Sequence, residues 1–110
     1  MGSATEHSQL VNAIILKYSR GNIRLWRNET GVAINPRGTG LLSYGCRGSS
    51  DILGILGPDG TFLGIEVKTG KNRQSKQQKS FQAIVARLGG HYLVARSVED
   101  VDNWLASLAF

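Results

Sequence analysis

The stretch Asp51-Ile-Leu-Gly-Ile-Leu-Gly-Pro-Asp-Gly-Thr-Phe-Leu-Gly-Ile-Glu-Val-Lys68 decides the fold. A short apolar run, 52–56, and a longer one, 61–67, flank Gly57-Pro58-Asp59-Gly60, a turn sequence. Two strand-length segments joined this way read as a hairpin over residues 51–68. In its second strand the two-residue period puts Glu66 and Lys68 on one side and Ile65 and Val67 on the other. If Ile65 and Val67 face the core, Glu66 and Lys68 project together, and Asp51, at the start of the partner strand, lies near Glu66.

Outward from this hairpin, the rest falls into alternating elements. On the N-terminal side, Thr5 caps a helix in which Leu10, Ala13 and Ile14 recur at helical spacing, ending between Lys17 and Arg20 before Gly21. Ile23-Arg-Leu-Trp-Arg27 alternates as a half-buried strand does, and Gly31 to Pro36 reads as another short strand. The glycine-rich residues 37–50 read as a loop. On the C-terminal side, Ser75 caps a helix to Leu88 whose apolar face is Phe81, Ile84, Val85 and Leu88. Gly89-Gly90 ends it, His91 to Ala95 is a strand, and Val98 to Leu108 is a last helix with Glu99, Asp100 and Asp102 near its start. The order gives a single α/β domain over 1–110, a central mixed β-sheet flanked by helices.

The chain has 110 residues, 41% hydrophobic and 19% charged, which excludes disordered and collagen-like classes. Thirteen Lys and Arg against eight Asp and Glu give a net charge of +5, as suits a polyanionic partner. A single cysteine, Cys46, excludes an internal disulfide and a cysteine-built zinc cage. No apolar run approaches a membrane span, so no membrane partner is expected. The polar opening MGSATEHSQL reads as no signal peptide, and a reducing, cytoplasmic setting is expected.

Two carboxylates brought together repel unless a cation joins them. A hard divalent ion does this with oxygen ligands, and Mg²⁺ commonly takes one or two carboxylates together with substrate phosphate. A lysine beside the ion can orient water or stabilise charge on phosphorus. Glu-x-Lys by itself is a common pattern that equally describes a solvated surface pair. Its weight comes from Asp51 one hairpin away, the apolar strand around it and the basic segment that follows. Residues 68–79 carry Lys68, Lys71, Arg73, Lys76 and Lys79 with no acidic residue. Beside a phosphate-cutting site they form a rim for the nucleic-acid backbone, extended by Arg27, Arg37 and Arg47. No pattern for reading base edges is present, so recognition by shape is expected.

Gly48-Ser-Ser-Asp51, Phe62-Leu-Gly-Ile-Glu66-Val-Lys68-Thr-Gly70 and Ser75-Lys-Gln-Gln78-Lys-Ser-Phe81 together resemble the core of the VRR-NUC (virus-type replication-repair nuclease) family, within the PD-(D/E)xK nuclease superfamily. Trp26-Arg-Asn28 followed by Gly31, and Gly89-Gly90-His-Tyr-Leu-Val-Ala-Arg96-Ser-Val-Glu-Asp100, extend the likeness over nearly the whole chain. One departure is Ser50 before Asp51, where the superfamily has proline. The resemblance implies an αβββαβ core plus a C-terminal helix, and an Mg²⁺- or Mn²⁺-dependent DNA endonuclease leaving 5′-phosphates. It implies Asp51, Glu66 and the carbonyl of Val67 as metal ligands and Lys68 as the catalytic lysine. Glu6 would be the family's first-helix acid; its spacing to Leu10 and Ala13 puts it on their face, though it also suits plain first-turn charge. Gln78 would be the glutamine of the Gln-x-x-Phe segment, and is equally placed for a capping box with Ser75.

Stand-alone members of the family resemble homodimeric Holliday-junction resolvases, which implies a four-way DNA junction as substrate and two sites related by a two-fold axis. Two alternatives stay open: a flap, single-strand or general nuclease working with a helicase or repair partner, and a nucleic-acid-binding module with a defunct site. Trp104, Leu105 and Leu108 of the last helix and the outer side of the first helix are candidate dimer surfaces. His91 reads as structural, His7 as exposed, Trp26 and Trp104 as core, Cys46 as without a role, and Asn28 as a DNA contact.

Overall fold

The hairpin over 51–68 is the centre of the sheet. The computed structural model describes residues 3–29, 31–46 and 48–108. In order it forms α1 (Ser3–Tyr18), β1 (Ile23–Arg27), β2 (Gly31–Ile34), β3 (Leu41–Tyr44), β4 (Ile52–Leu56), β5 (Thr61–Val67), α2 (Lys76–Arg87), β6 (His91–Ala95) and α3 (Val98–Ser107). Four strands lie in the order β1-β4-β5-β6. The first two pairings are antiparallel and β5–β6 is parallel, so the sheet is mixed. The parallel pair requires a crossover, and α2 supplies it. Among the described residues no helix is long and apolar enough to cross a membrane.

One sheet face carries Leu25, Ile52, Leu56, Leu63, Ile65, Val67 and Ala95, all buried. They form one cluster with Val11, Ile14 and Tyr18 of α1 and Val101 of α3. The α1 stripe is therefore 11, 14 and 18, with spacings of three and four residues. The face expected from Leu10, Ala13 and Ile14 is rotated from this one, and Ala13 is exposed. The Tyr18 hydroxyl docks α1 onto α3 by donating to the Asp102 carboxylate.

The other face is covered unevenly. Phe81 of α2 makes edge contacts with Phe62 and Tyr92, at centroid distances of 6.3 and 6.1 Å, over the β5–β6 half. Over β1 and β4 this face has no helix among the described residues. Trp26 is 42% exposed and Ile55 46%, so Trp26 is not the core residue expected. The apolar face of α2 lines a cavity with Thr61 and Phe62 at the start of β5. Val85 is buried, while Ile84 and Leu88 stand in solvent, because the helix is seated on only half of the sheet.

The expected loop 37–50 contains a strand. β2 and β3 pair as a separate two-stranded ribbon, with Ile34 opposite Leu41. The four-residue Leu41-Leu-Ser-Tyr44 is too short to show a period between glycines. Trp104, by contrast, is partly buried with its ring 5.6 Å from that of His91, so His91 has the structural role expected.

Gly54 lets β1 approach β4. A Cβ there would lie 2.5 Å from Leu25 Cδ2 and 2.9 Å from the Arg24 carbonyl. Gly54→Ala should lower stability by about 1–3 kcal/mol, since backbone must move to admit the methyl. Urea unfolding would measure this; an unchanged midpoint would contradict such close packing.

Candidate active site

Ile52 pairs with Ile65, so one further step along the ladder sets Asp51 across from Glu66. The backbone of Asp51 is fixed by Asn28, whose N–H donates to the Asp51 carbonyl at 2.8 Å. The Asn28 side chain also donates to Ser49 Oγ at 2.7 Å and to the Ser50 carbonyl at 2.9 Å. Asn28 thus acts on the segment leading into Asp51. Ser50, at the superfamily's proline position, is buried and donates through Oγ to the Ile52 carbonyl. The Asp51 carboxylate turns back onto β5, where Oδ2 accepts from the Val67 N–H at 2.8 Å. His7 Nε2 is 3.3 Å from the same oxygen.

Glu66 is 0% exposed. Both faces of β5 are covered at this point, so Glu66 does not project into solvent as a simple two-sided strand would have it. Its Oε1 accepts from the Tyr92 hydroxyl at 2.5 Å, and Lys68 Nζ lies 3.1 Å from Oε2. The ion pair leaves Oε2 buried without a well-formed hydrogen bond. Burial pushes the Tyr92 phenol well above its ordinary value, and its bond to Glu66 adds to this. Tyr92 is therefore a protonated donor to a carboxylate.

Several expected site residues fall elsewhere. Glu6 is exposed, and the α1 side chain that reaches Asp51 is the neighbouring His7. The α1 stripe explains this: His7, Val11, Ile14 and Tyr18 share one side, and Glu6 is about 100° away from it. His7 is accordingly not the free surface residue expected. Gln78 closes a capping box, with Oε1 accepting from the Ser75 N–H at 2.8 Å and its own N–H donating to Ser75 Oγ at 3.1 Å. The glutamine that comes near the site is Gln74, which acts on the Tyr92 hydroxyl and donates to Gln82 Oε1 at 2.9 Å. The His7-to-Tyr18 spacing could have revealed His7; nothing in the sequence pointed to Tyr92 or Gln74.

Lys71, Arg73, Lys76 and Lys79 are all exposed on the loop after β5 and the first turns of α2. Arg96 pins that loop, donating to the carbonyls of Gly70 at 3.2 Å and Asn72 at 2.7 Å. Arg27 is exposed but donates to Asn12 Oδ1 on α1, and Arg37 is exposed in the β2–β3 turn. Arg47 lies outside the described residues.

Among the described residues no group of three or more His, Cys, Asp and Glu side chains is clustered for a metal ion. What is present is Asp51, bonded by the Val67 N–H, across the hairpin from the buried Glu66. The donor set fits a hard cation that keeps several waters, since one or two carboxylates suffice for Mg²⁺. Glu66 Oε2, buried and short of a hydrogen bond, is the oxygen such an ion would complete. No protein-family model and no curated protein matches this chain.

The Glu66–Lys68 pair is asymmetric, because Lys68 is 14% exposed and Glu66 is sealed. Without divalent ions, Lys68→Met should cost about 3 kcal/mol by stranding a buried carboxylate. Glu66→Gln should cost only about 1 kcal/mol, since Tyr92 keeps an acceptor and Lys68 can turn to water. Chemical denaturation in EDTA distinguishes the two; equal losses would mean that Glu66 is not carrying a buried charge.

Proposed function

We propose that this chain is a metal-dependent DNA endonuclease of the VRR-NUC type, hydrolysing phosphodiester bonds in four-way junctions as a homodimer. The observation that carries the reading is the sealed Glu66, held between Tyr92 and Lys68 and lying across the hairpin from Asp51. A fully buried carboxylate costs a small domain stability unless charge and hydrogen bonds compensate it, and such groups are concentrated at functional sites. Asp51, Glu66 and the Val67 carbonyl would hold Mg²⁺ or Mn²⁺. When bound, such an ion polarises a phosphoryl oxygen and lowers the pKa of attacking water.

The chain's own residues supply the rest. Lys68, which is partly open to solvent, can donate to a phosphoryl oxygen or fix the position of water. Lys71, Arg73, Lys76 and Lys79 offer the backbone of the substrate a row of cations on one side of the site. Arg96 orders the loop that presents Lys71 and Arg73, so less entropy is lost on binding.

The bare half of the sheet supports the second copy. Ile55 and Phe62 are cross-strand partners on the face that carries Trp26, and Ile84 and Leu88 line a cavity with Phe62, which gives an exposed apolar patch. Exposed Arg24, Arg87 and Asp59 put both signs of charge around it, which a two-fold self-contact can pair and a polyanion does not select. The patch replaces the last helix as the dimer surface, because Trp104, Leu105 and Leu108 already pack on the core.

Cleavage of a labelled four-way junction should require Mg²⁺ or Mn²⁺ and give paired symmetric cuts. Lys68→Ala should reduce the rate at least 100-fold, a size ordinary for loss of one charge-stabilising group, and EDTA should abolish it. Equal cutting of flap and linear duplex would overturn the junction preference; binding without cutting under any divalent ion would return the chain to a binding module. Separately, sedimentation should show a dimer that Ile55→Arg with Leu88→Arg converts to monomer. A wild-type monomer at 100-fold the concentration used for cleavage would remove the two-site scheme.

A further inference from the structure

We infer that Tyr92 is a positioning residue that fixes the Glu66 carboxylate for the metal ion, an inference that rests on the metal-site reading above. The two oxygens of Glu66 are treated differently. Oε1 accepts a 2.5 Å bond from the Tyr92 hydroxyl, a neutral donor, while Oε2 faces Lys68 Nζ at 3.1 Å and lacks a well-formed hydrogen bond. A carboxylate held by one oxygen cannot rotate freely, so the Tyr92 bond leaves Oε2 to face a cation, which is Lys68 in this structure and would be a metal ion once Lys68 turns aside. A cationic donor in place of Tyr92 would compete with the metal for the same charge; a phenol hydroxyl does not.

The neighbourhood holds the phenol in place from several sides. Val94 of β6 stands beside Glu66 in the parallel ladder, and Tyr92 beside Gly64. With glycine at 64 the ring passes close to β5: a Cβ there would be 3.4 Å from Tyr92 Cδ2. Phe81 contacts the ring from α2. Gln74 lies near the hydroxyl and is itself held by Gln82 of α2. The Glu66 carboxylate is thereby coupled to the crossover helix, although that helix contributes no ligand.

Tyr92→Phe keeps the ring and removes only the hydroxyl, and Mn²⁺ binding to the full chain, followed by calorimetry without DNA, reads its effect. The expected result is about tenfold weaker Mn²⁺ binding by the folded protein, beside the lower melting temperature in EDTA that loss of a hydrogen bond to a buried carboxylate brings. A purely structural tyrosine would lower the melting temperature but leave the affinity of the folded protein unchanged; unchanged affinity overturns the proposal. Should Tyr92→Phe not fold, Gln74→Ala leaves the core intact and must itself weaken Mn²⁺ binding, by about threefold, or the proposal fails. Wild-type protein that binds no Mn²⁺ would overturn the metal-site reading, and this inference with it. Wild-type binding with an unaffected variant would overturn the role of Tyr92 alone.

Discussion

A carboxylate with no solvent contact sits near the end of the central strand, and most of the surrounding architecture can be understood as what that placement demands. Burying Glu66 as an ion is unfavourable by several kcal/mol unless charge and hydrogen bonds return what water supplied. Lys68, two residues on along the same strand, returns the charge, and Tyr92 on the parallel neighbour returns a hydrogen bond. The Tyr92 bond depends on the pairing of β5 with β6, which in turn needs α2 as its crossover. The parallel edge of the sheet and the electrostatics of the site are in this sense one feature.

Most elements were legible because they carry strong local signals. The 51–68 hairpin, the Ser75 cap and the glycine pair after α2 each rest on a turn or capping chemistry that tertiary packing does not override. β2 was legible as the strand opening at Gly31, but its partner β3 was not, because four residues between glycines show no period. At the site, Asp51, Glu66 and Lys68 could be grouped from strand period and hairpin register alone. Their partners could not. His7 depends on which of two nearly equivalent helical stripes is buried, and a rotation of one residue exchanges it with Glu6. Tyr92 depends on a parallel pairing, which has no turn to fix its register in the sequence.

Strand patterning also assumed that only one sheet face was buried. That holds for β1 and β4 and fails for β5, where Leu63 to Val67 are buried without a break. The difference lies in α2, which shields half of a face. One sheet therefore presents a dry half that can hold an ion pair and an open half that carries Trp26 and Ile55 into solvent. A helix seated centrally would have hidden both, and a domain without it would have left Glu66 in water.

The side chain of Asn28 spans from the end of β1 to Ser49 and Ser50, closing the base of everything between them. The β2–β3 arm is thus a tied-off excursion. Loop-closure entropy rises by only about 0.6 kcal/mol for each doubling of length. With its base clamped, the arm can be shortened, lengthened or exchanged while Asp51 stays where it is. Evolution, or a protein engineer, can rewrite that appendage as an independent module without re-solving the geometry of the carboxylates.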